Sequence, residues 1–164
     1  EKDSIDVHEI NIENEIIEEK HYSKDLGTLF TKEEVRLMKF GTLVHETLEL
    51  LDLKNKNLEI IEDNFIKSKI NKFLENNLFK NIKDAKIYKE YEFMYEDDDI
   101  YHGIIDLMLE YNDHIDIIDY KLSDVTDINY ISQLNGYKEY ISSITKKPVN
   151  VYLYSIINEK ISSL

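Results

Sequence analysis

The stretch Ile100-Tyr-His-Gly-Ile-Ile-Asp106-Leu-Met-Leu-Glu-Tyr111-Asn-Asp-His114-Ile-Asp-Ile-Ile-Asp119-Tyr-Lys121 decides how this chain is read. Two runs rich in Ile, Leu and Tyr flank Asn112-Asp113, a turn dipeptide, so Ile100–Tyr111 and His114–Lys121 are expected to be the two strands of a hairpin. With a two-residue loop Tyr111 faces His114, and counting back along both strands sets Asp106 opposite Asp119. Facing Cβ atoms lie about 5 Å apart, so two carboxylates meet. Lys121, two residues beyond Asp119, shares its face and lies opposite Ile104.

That pairing is poor for stability. Like charges opposed across strands repel, and the flanking Ile104-Ile105, Leu107-Met-Leu109 and Ile117-Ile118 are as apolar as a buried strand. Buried carboxylates must be paired, protonated or bound to a cation. Two readings stay open here: Lys121 neutralises Asp119 across a surface strand, or hard oxygen ligands hold Mg²⁺ or Mn²⁺ between the strands.

Outward from the hairpin, the periodicities give the order α-α-β-β-β-α-β. Thr31-Lys-Glu-Glu34 has capping-box spacing, and Leu37, Phe40, Val44, Leu48 and Leu51 form a helical stripe to about Leu53. A second helix is expected from Leu58 to Leu78, a strand from Lys86 to Tyr95, a third helix from Ile128 to Ile144 and a last strand from Val149 to Ile156. The fold class is α/β, a central mixed β-sheet flanked by helices. Residues 1–25 read as an acidic linker or arm, and 26–164 as one domain. The chain begins on Glu1 with no basic or apolar leader after it, and is expected to be a piece excised from a longer one.

The 164 residues carry a net charge of −14, which argues against a generic DNA binder. The charge is uneven. Residues 90–120 hold eleven acids and no Lys or Arg, whereas 67–89 hold seven lysines against Glu75 and Asp84. A cation site beside a phosphate track has that look, and so does a salt-balanced surface. Cysteine is absent, so disulfides, zinc–thiolate sites and iron–sulfur clusters are excluded, and a reducing, cytoplasmic setting is compatible. No apolar run approaches a membrane span, so no membrane partner is expected.

Four segments, in order, resemble the PD-(D/E)XK nuclease superfamily. They are Gly41-Thr-Leu-Val-His45-Glu-Thr-Leu-Glu49, Lys89-Glu90-Tyr-Glu-Phe93, the Gly103-Ile-Ile-Asp106 and Ile117-Ile-Asp119-Tyr-Lys121 strands, and Gln133-Leu-Asn-Gly-Tyr137. Together they are most similar to the RecB-like nuclease domain at the C-terminus of AddA/RecB-type ATP-dependent helicase–nucleases. The likeness spans roughly residues 40–155. It implies a restriction-endonuclease-like core and hydrolysis of DNA, as single strands delivered by a helicase motor in the same chain or by a partner subunit. It implies Mg²⁺ as cofactor, with Mn²⁺ as substitute and no iron–sulfur cluster. His45, Asp106, Asp119 and the Tyr120 backbone carbonyl match the metal ligands, Lys121 the catalytic lysine, and Gln133 and Tyr137 a substrate-contacting pair on one helix face. Glu90 matches a catalytic acid, with Glu92 as the competing alignment. Leu122, followed by Ser123, stands where the family often has Thr. A catalytically silent relative, kept for DNA binding or as a scaffold, is the alternative reading.

Overall fold

The computed structural model describes residues 32–96, 98, 100–122 and 128–164. The expected arm at 1–25, Thr31 of the capping box and Ser123 lie outside the described residues. Helix α1 runs Lys32–Leu50, α2 Asn64–Leu74 and α3 Ile128–Ile144. Strands β1 (Lys86–Glu96), β2 (Ile100–Glu110), β3 (Ile115–Lys121), β4 (Val149–Ser155) and β5 (Lys160–Ser163) form one sheet in sequence order. The β3–β4 pair is parallel and the other pairs are antiparallel. This is the expected α/β architecture, a mixed sheet flanked by helices, with one strand added at the end.

The first two helical segments are shorter than their apolar patterns suggest, because Asp and Asn side chains compete for backbone amides. Asp52 Oδ1 accepts from the amides of Lys54 and Asn55, which turns the chain just past α1 and ends the helix short of Leu53. Asp63 Oδ1 accepts from the amides of Phe65 and Ile66, both at 2.9 Å, and starts α2 there instead of at Leu58. Asn57 and Asn76 cap separate 3₁₀ turns at Leu58–Ile60 and Asn77–Phe79. The single helix expected over Leu58–Leu78 is therefore three capped pieces.

The sheet divides two cores. On one face Phe40, Val44 and Leu48 of α1 and Ile66, Ile70 and Phe73 of α2 pack on Leu107, Leu109, Ile118, Tyr120 and Tyr154. On the other, Leu134, Tyr137 and Ile141 of α3 pack on Ile105, Met108, Ile117, Val151 and Leu153. A strand buried on both faces has no polar alternation, which accounts for the continuous apolar runs in β2 and β3. Strand β5 escaped the sequence reading because its four residues are exposed and only Ile161 is apolar. Among the described residues no helix is long and apolar enough to cross a membrane.

Candidate metal centre and active site

The β2–β3 hairpin has the register that the Asn112-Asp113 turn requires. The Tyr111 amide donates to the His114 carbonyl at 2.9 Å, and the ladder runs from Glu110↔Ile115 to Leu107↔Ile118. It stops one pair short of Asp106 and Asp119. There the Tyr120 amide donates to Asp106 Oδ2 at 3.0 Å in place of a β2 carbonyl. A carboxylate thus fills the gap where the two backbones part.

Asp106 also sits where β2 changes face. Ile105 belongs to the α3-side core and Leu107 to the α1-side core, although residues two apart in a regular strand share a face. Strand β1 makes the same change opposite. Tyr88 packs with the α3-side core, and so do Tyr91 and Phe93. Between them Glu90 has φ 47°, the left-handed region. The β1–β2 ladder keeps one register throughout but skips the Glu90–Asp106 pair. The expected single face carrying Asp106, Asp119 and Lys121 is therefore modified. Asp119 and Lys121 alternate with Ile117 toward α3, whereas Asp106 lies at the crossover and reaches a residue of α1.

That residue is His45, whose Nδ1 lies 3.7 Å from Asp106 Oδ1. Its ring packs against Tyr120 with centroids 4.7 Å apart. One ligand atom each from His45, Glu90 and Asp106 come within 4.8 Å of one another. The helix that supplies His45 is tied to the strand that supplies Glu90. Lys89 Nζ donates to the carbonyls of Glu49, at 2.8 Å, and of Leu51 at the C-terminal end of α1. A cation there also meets the negative end of the helix dipole. Because of the left-handed turn at Glu90, Lys89 and Glu90 both serve the α1 side.

The electrostatics show the strain of this arrangement. Burial pushes the Asp106 carboxyl up to about 7, against the pull of Lys121 and of the Tyr120 amide. Burial, then the neighbouring Asp106 charge, pushes Asp119 well above the usual carboxylate range. The two carboxyls are coupled, and burial with their mutual repulsion disfavours charging both at once. Burial likewise raises Glu90, opposed by His45. Asp119 Oδ2 is buried without a hydrogen-bond partner, and Lys121 Nζ stands 4.0 Å away from it. Three carboxylates held partly against their charge, with one oxygen unpaired and a histidine nitrogen alongside, are a donor set that a hard divalent cation fits.

The remaining sequence candidates fall around this centre. Glu92 is exposed and pairs with His102, Oε1 to Nε2 at 2.6 Å, so Glu90 and not Glu92 enters the site. Gln133 and Tyr137 line one open groove of about 560 Å³, with Phe93, Tyr95 and His102 across from them. The Tyr137 hydroxyl is pushed up to about 12 by burial and by the Asp119 charge, with the Ile104 amide opposing. Gly103 lets the Phe93 and Tyr137 rings pack against the β2 backbone at the groove wall. A Cβ there would lie 2.5 Å from Phe93 and 2.7 Å from Tyr137. The lysines of the basic strip are partly spent on local ties. Lys67 pairs with Glu59, Lys69 with Glu159 and Lys72 with Glu75, which favours the salt-balanced reading of that surface.

Three residues at the site were missed. Lys89 looked like a member of the basic strip. Tyr130, whose ring lies 4.6 Å from Lys121 Nζ, was one of twelve tyrosines with no motif around it. Ser155, the β4 partner of Lys121, is buried with an unpaired hydroxyl, and a lone polar residue in the apolar run Val149–Ile156 was a usable signal. The sequence matches no model of a known protein family and no curated protein.

Proposed function

We propose that this chain is a divalent-metal-dependent nuclease domain with a restriction-endonuclease-like PD-(D/E)XK core, hydrolysing phosphodiester bonds in DNA. The observation that carries the reading is the meeting of His45, Glu90 and Asp106 within 4.8 Å, beside a buried Asp119 with an unpaired oxygen and beside Lys121. His45, Asp106 and Asp119 hold the ion, with Glu90 and the Tyr120 carbonyl as the further oxygen donors. A bound Mg²⁺ or Mn²⁺ supplies Lewis acidity and an acidified water. Lys121 orients the attacking water and stabilises charge developing on the phosphate. Gln133 and Tyr137 contact the strand along their groove. The substrate is DNA unwound by a helicase motor, in the same chain or a partner, which provides the phosphate affinity that a chain of net charge −14 lacks. End processing in double-strand-break repair is the setting that fits such a substrate.

The test is digestion of end-labelled single- and double-stranded DNA by the purified chain with Mg²⁺, Mn²⁺ or EDTA, beside Lys121→Ala. Metal-dependent cleavage that disappears in the variant supports the reading. A folded chain that binds Mg²⁺ but leaves every substrate intact overturns catalysis by this chain alone.

A further inference from the structure

Among the described residues three buried side-chain atoms lack a hydrogen-bond partner: Asp119 Oδ2, the Tyr130 hydroxyl and the Ser155 hydroxyl. All three belong to neighbours of Lys121. Asp119 lies 4.0 Å from its ammonium, Ser155 is its cross-strand partner, and Tyr130 presents its ring face 4.6 Å away. Tyr130 comes from the first turn of α3, which otherwise packs apolar residues on this face of the sheet. Only 7% of Tyr130 is exposed, so its place is set by packing.

A lysine ammonium ends a flexible four-carbon stem and needs something to hold it. Within this site the proposed ion draws on the Asp119 carboxylate and weakens its hold on the ammonium, 4.0 Å away. An aromatic face attracts the ammonium without accepting its hydrogens, so this contact takes up none of its N–H donors. We infer that Tyr130 is a positioning residue, whose ring seats the Lys121 ammonium so that it faces the substrate once Asp119 is taken up by the ion. The inference rests on the reading of Lys121 as the phosphate-facing cation. The ring does this work and the hydroxyl does not, since the hydroxyl is buried with no partner.

The experiment has two readouts on the same proteins. Wild type, Tyr130→Phe, Tyr130→Leu and, as a closer match in shape and flexibility, Tyr130→Met are each checked for folding and Mn²⁺ affinity. The ε-methylene of Lys121 is then followed by NMR, with Mg²⁺ present, for its ring-current shift and its order. Wild type and Tyr130→Phe are expected to show upfield-shifted, ordered ε-methylene signals, and the aliphatic variants to lose both. In cleavage assays the aliphatic variants should lose about tenfold in kcat, with KM within about twofold and Mn²⁺ affinity unchanged, while Tyr130→Phe keeps its rate. An unshifted Lys121 methylene in wild type, order retained in Tyr130→Leu and Tyr130→Met, unchanged kcat in both, or a Tyr130→Phe as slow as they are overturns the inference. The NMR arm works whether or not the chain cleaves DNA. An inactive wild type with an intact seat counts against the nuclease reading alone.

Discussion

Strand β3 buries two aspartates to the same degree, Asp116 and Asp119, each 4% exposed. Their surroundings differ. Asp116 lies near the turn of the hairpin, where the ladder is complete. Its Oδ1 accepts from Asn150 at 3.0 Å, and its Oδ2 lies 3.3 Å from His114 Nε2. His114 is in turn stacked on Tyr111 and 2.6 Å from Asp113. Asp119 lies at the other end, where the strands part, with one oxygen unpaired and a second carboxylate beside it. Burial of a carboxylate is therefore no mark of function. Burial with its bonding left incomplete is, because the fold tolerates a cost there that it removes elsewhere.

The comparison breaks most sharply under substitution. Lys121→Ala and Asp119→Asn should each cut metal-dependent cleavage by about 10²–10³-fold or more, as removal of a group stabilising developing charge does. Asp119→Asn should at the same time raise the melting temperature of the metal-free protein at pH 8, since it replaces a buried carboxyl that burial and Asp106 hold against ionisation. Asp116→Asn should leave the rate within about twofold. Rates and melting curves on the same preparations check all three. Equal loss of activity at the two aspartates would erase the distinction drawn between them.

Acidity separates the two ends next. Asp106 titrates at about 7 in the folded chain, against an ordinary value of 3.8. Between those values the folded state holds a proton that the unfolded chain has released, so stability falls as pH rises, by up to about 1.4 kcal/mol per unit from this group. Metal-free protein should thus be more stable at pH 5 than at pH 8, by a few kcal/mol at most. His114 acts in the same direction. Its own burial opposes the charge, but Asp113 and Asp116 together raise its pKa, so its contribution is full below 6.5 and lost as pH climbs through the folded value. The divalent ion tells the two apart. Urea titrations at both pH values should show Mg²⁺ flattening the Asp106 component and leaving the His114 component in place. A pH dependence untouched by Mg²⁺ would place it wholly at the turn.

At the paired end, Asp116→Ala should cost about 1–3 kcal/mol, by leaving the Asn150 amide and His114 Nε2 without their acceptor. The check is chemical denaturation with the cleavage rate as control. This is the inverse of Asp119→Asn, a loss of stability at constant activity.

Much of this was legible beforehand, for a physical reason. Side chains in a strand alternate with period two, so one turn dipeptide sets the facing pairs of a regular ladder, and Asn112-Asp113 led correctly to the register from Glu110↔Ile115 to Leu107↔Ile118. The helix over Ile128–Ile144 was equally plain from its periodicity. The crossover at Glu90 and Asp106 was not. Its signal would be a break in polar alternation, and Ile104-Ile105 and Leu107-Met108-Leu109 are apolar on both sides of Asp106. Nor does residue type reveal a left-handed φ at a glutamate. The tie from Lys89 to α1 and the Tyr130 ring over Lys121 depend on how helices dock on the sheet, which no local pattern encodes.

The smallest effect falls on that crossover. Left-handed backbone costs an ordinary L-residue about 1–2 kcal/mol, and Asn bears it better because its short amide can bond locally. Glu90→Asn keeps a polar oxygen and removes a carboxyl that burial already pushes up. The metal-free variant should gain roughly 0.5–1 kcal/mol by denaturant titration, while its Mn²⁺ affinity falls because an anionic donor has gone. A stability gain with affinity intact would mean that the left-handed turn serves only to let β1 and β2 change face together. A stability loss would mean that the Glu90 side chain, through His45, does more to hold α1 on the sheet than its backbone strain costs. The expected pair of results, more stable and weaker in metal, puts Glu90 with Asp119, among the acids that burial holds against their charge, and apart from Asp116.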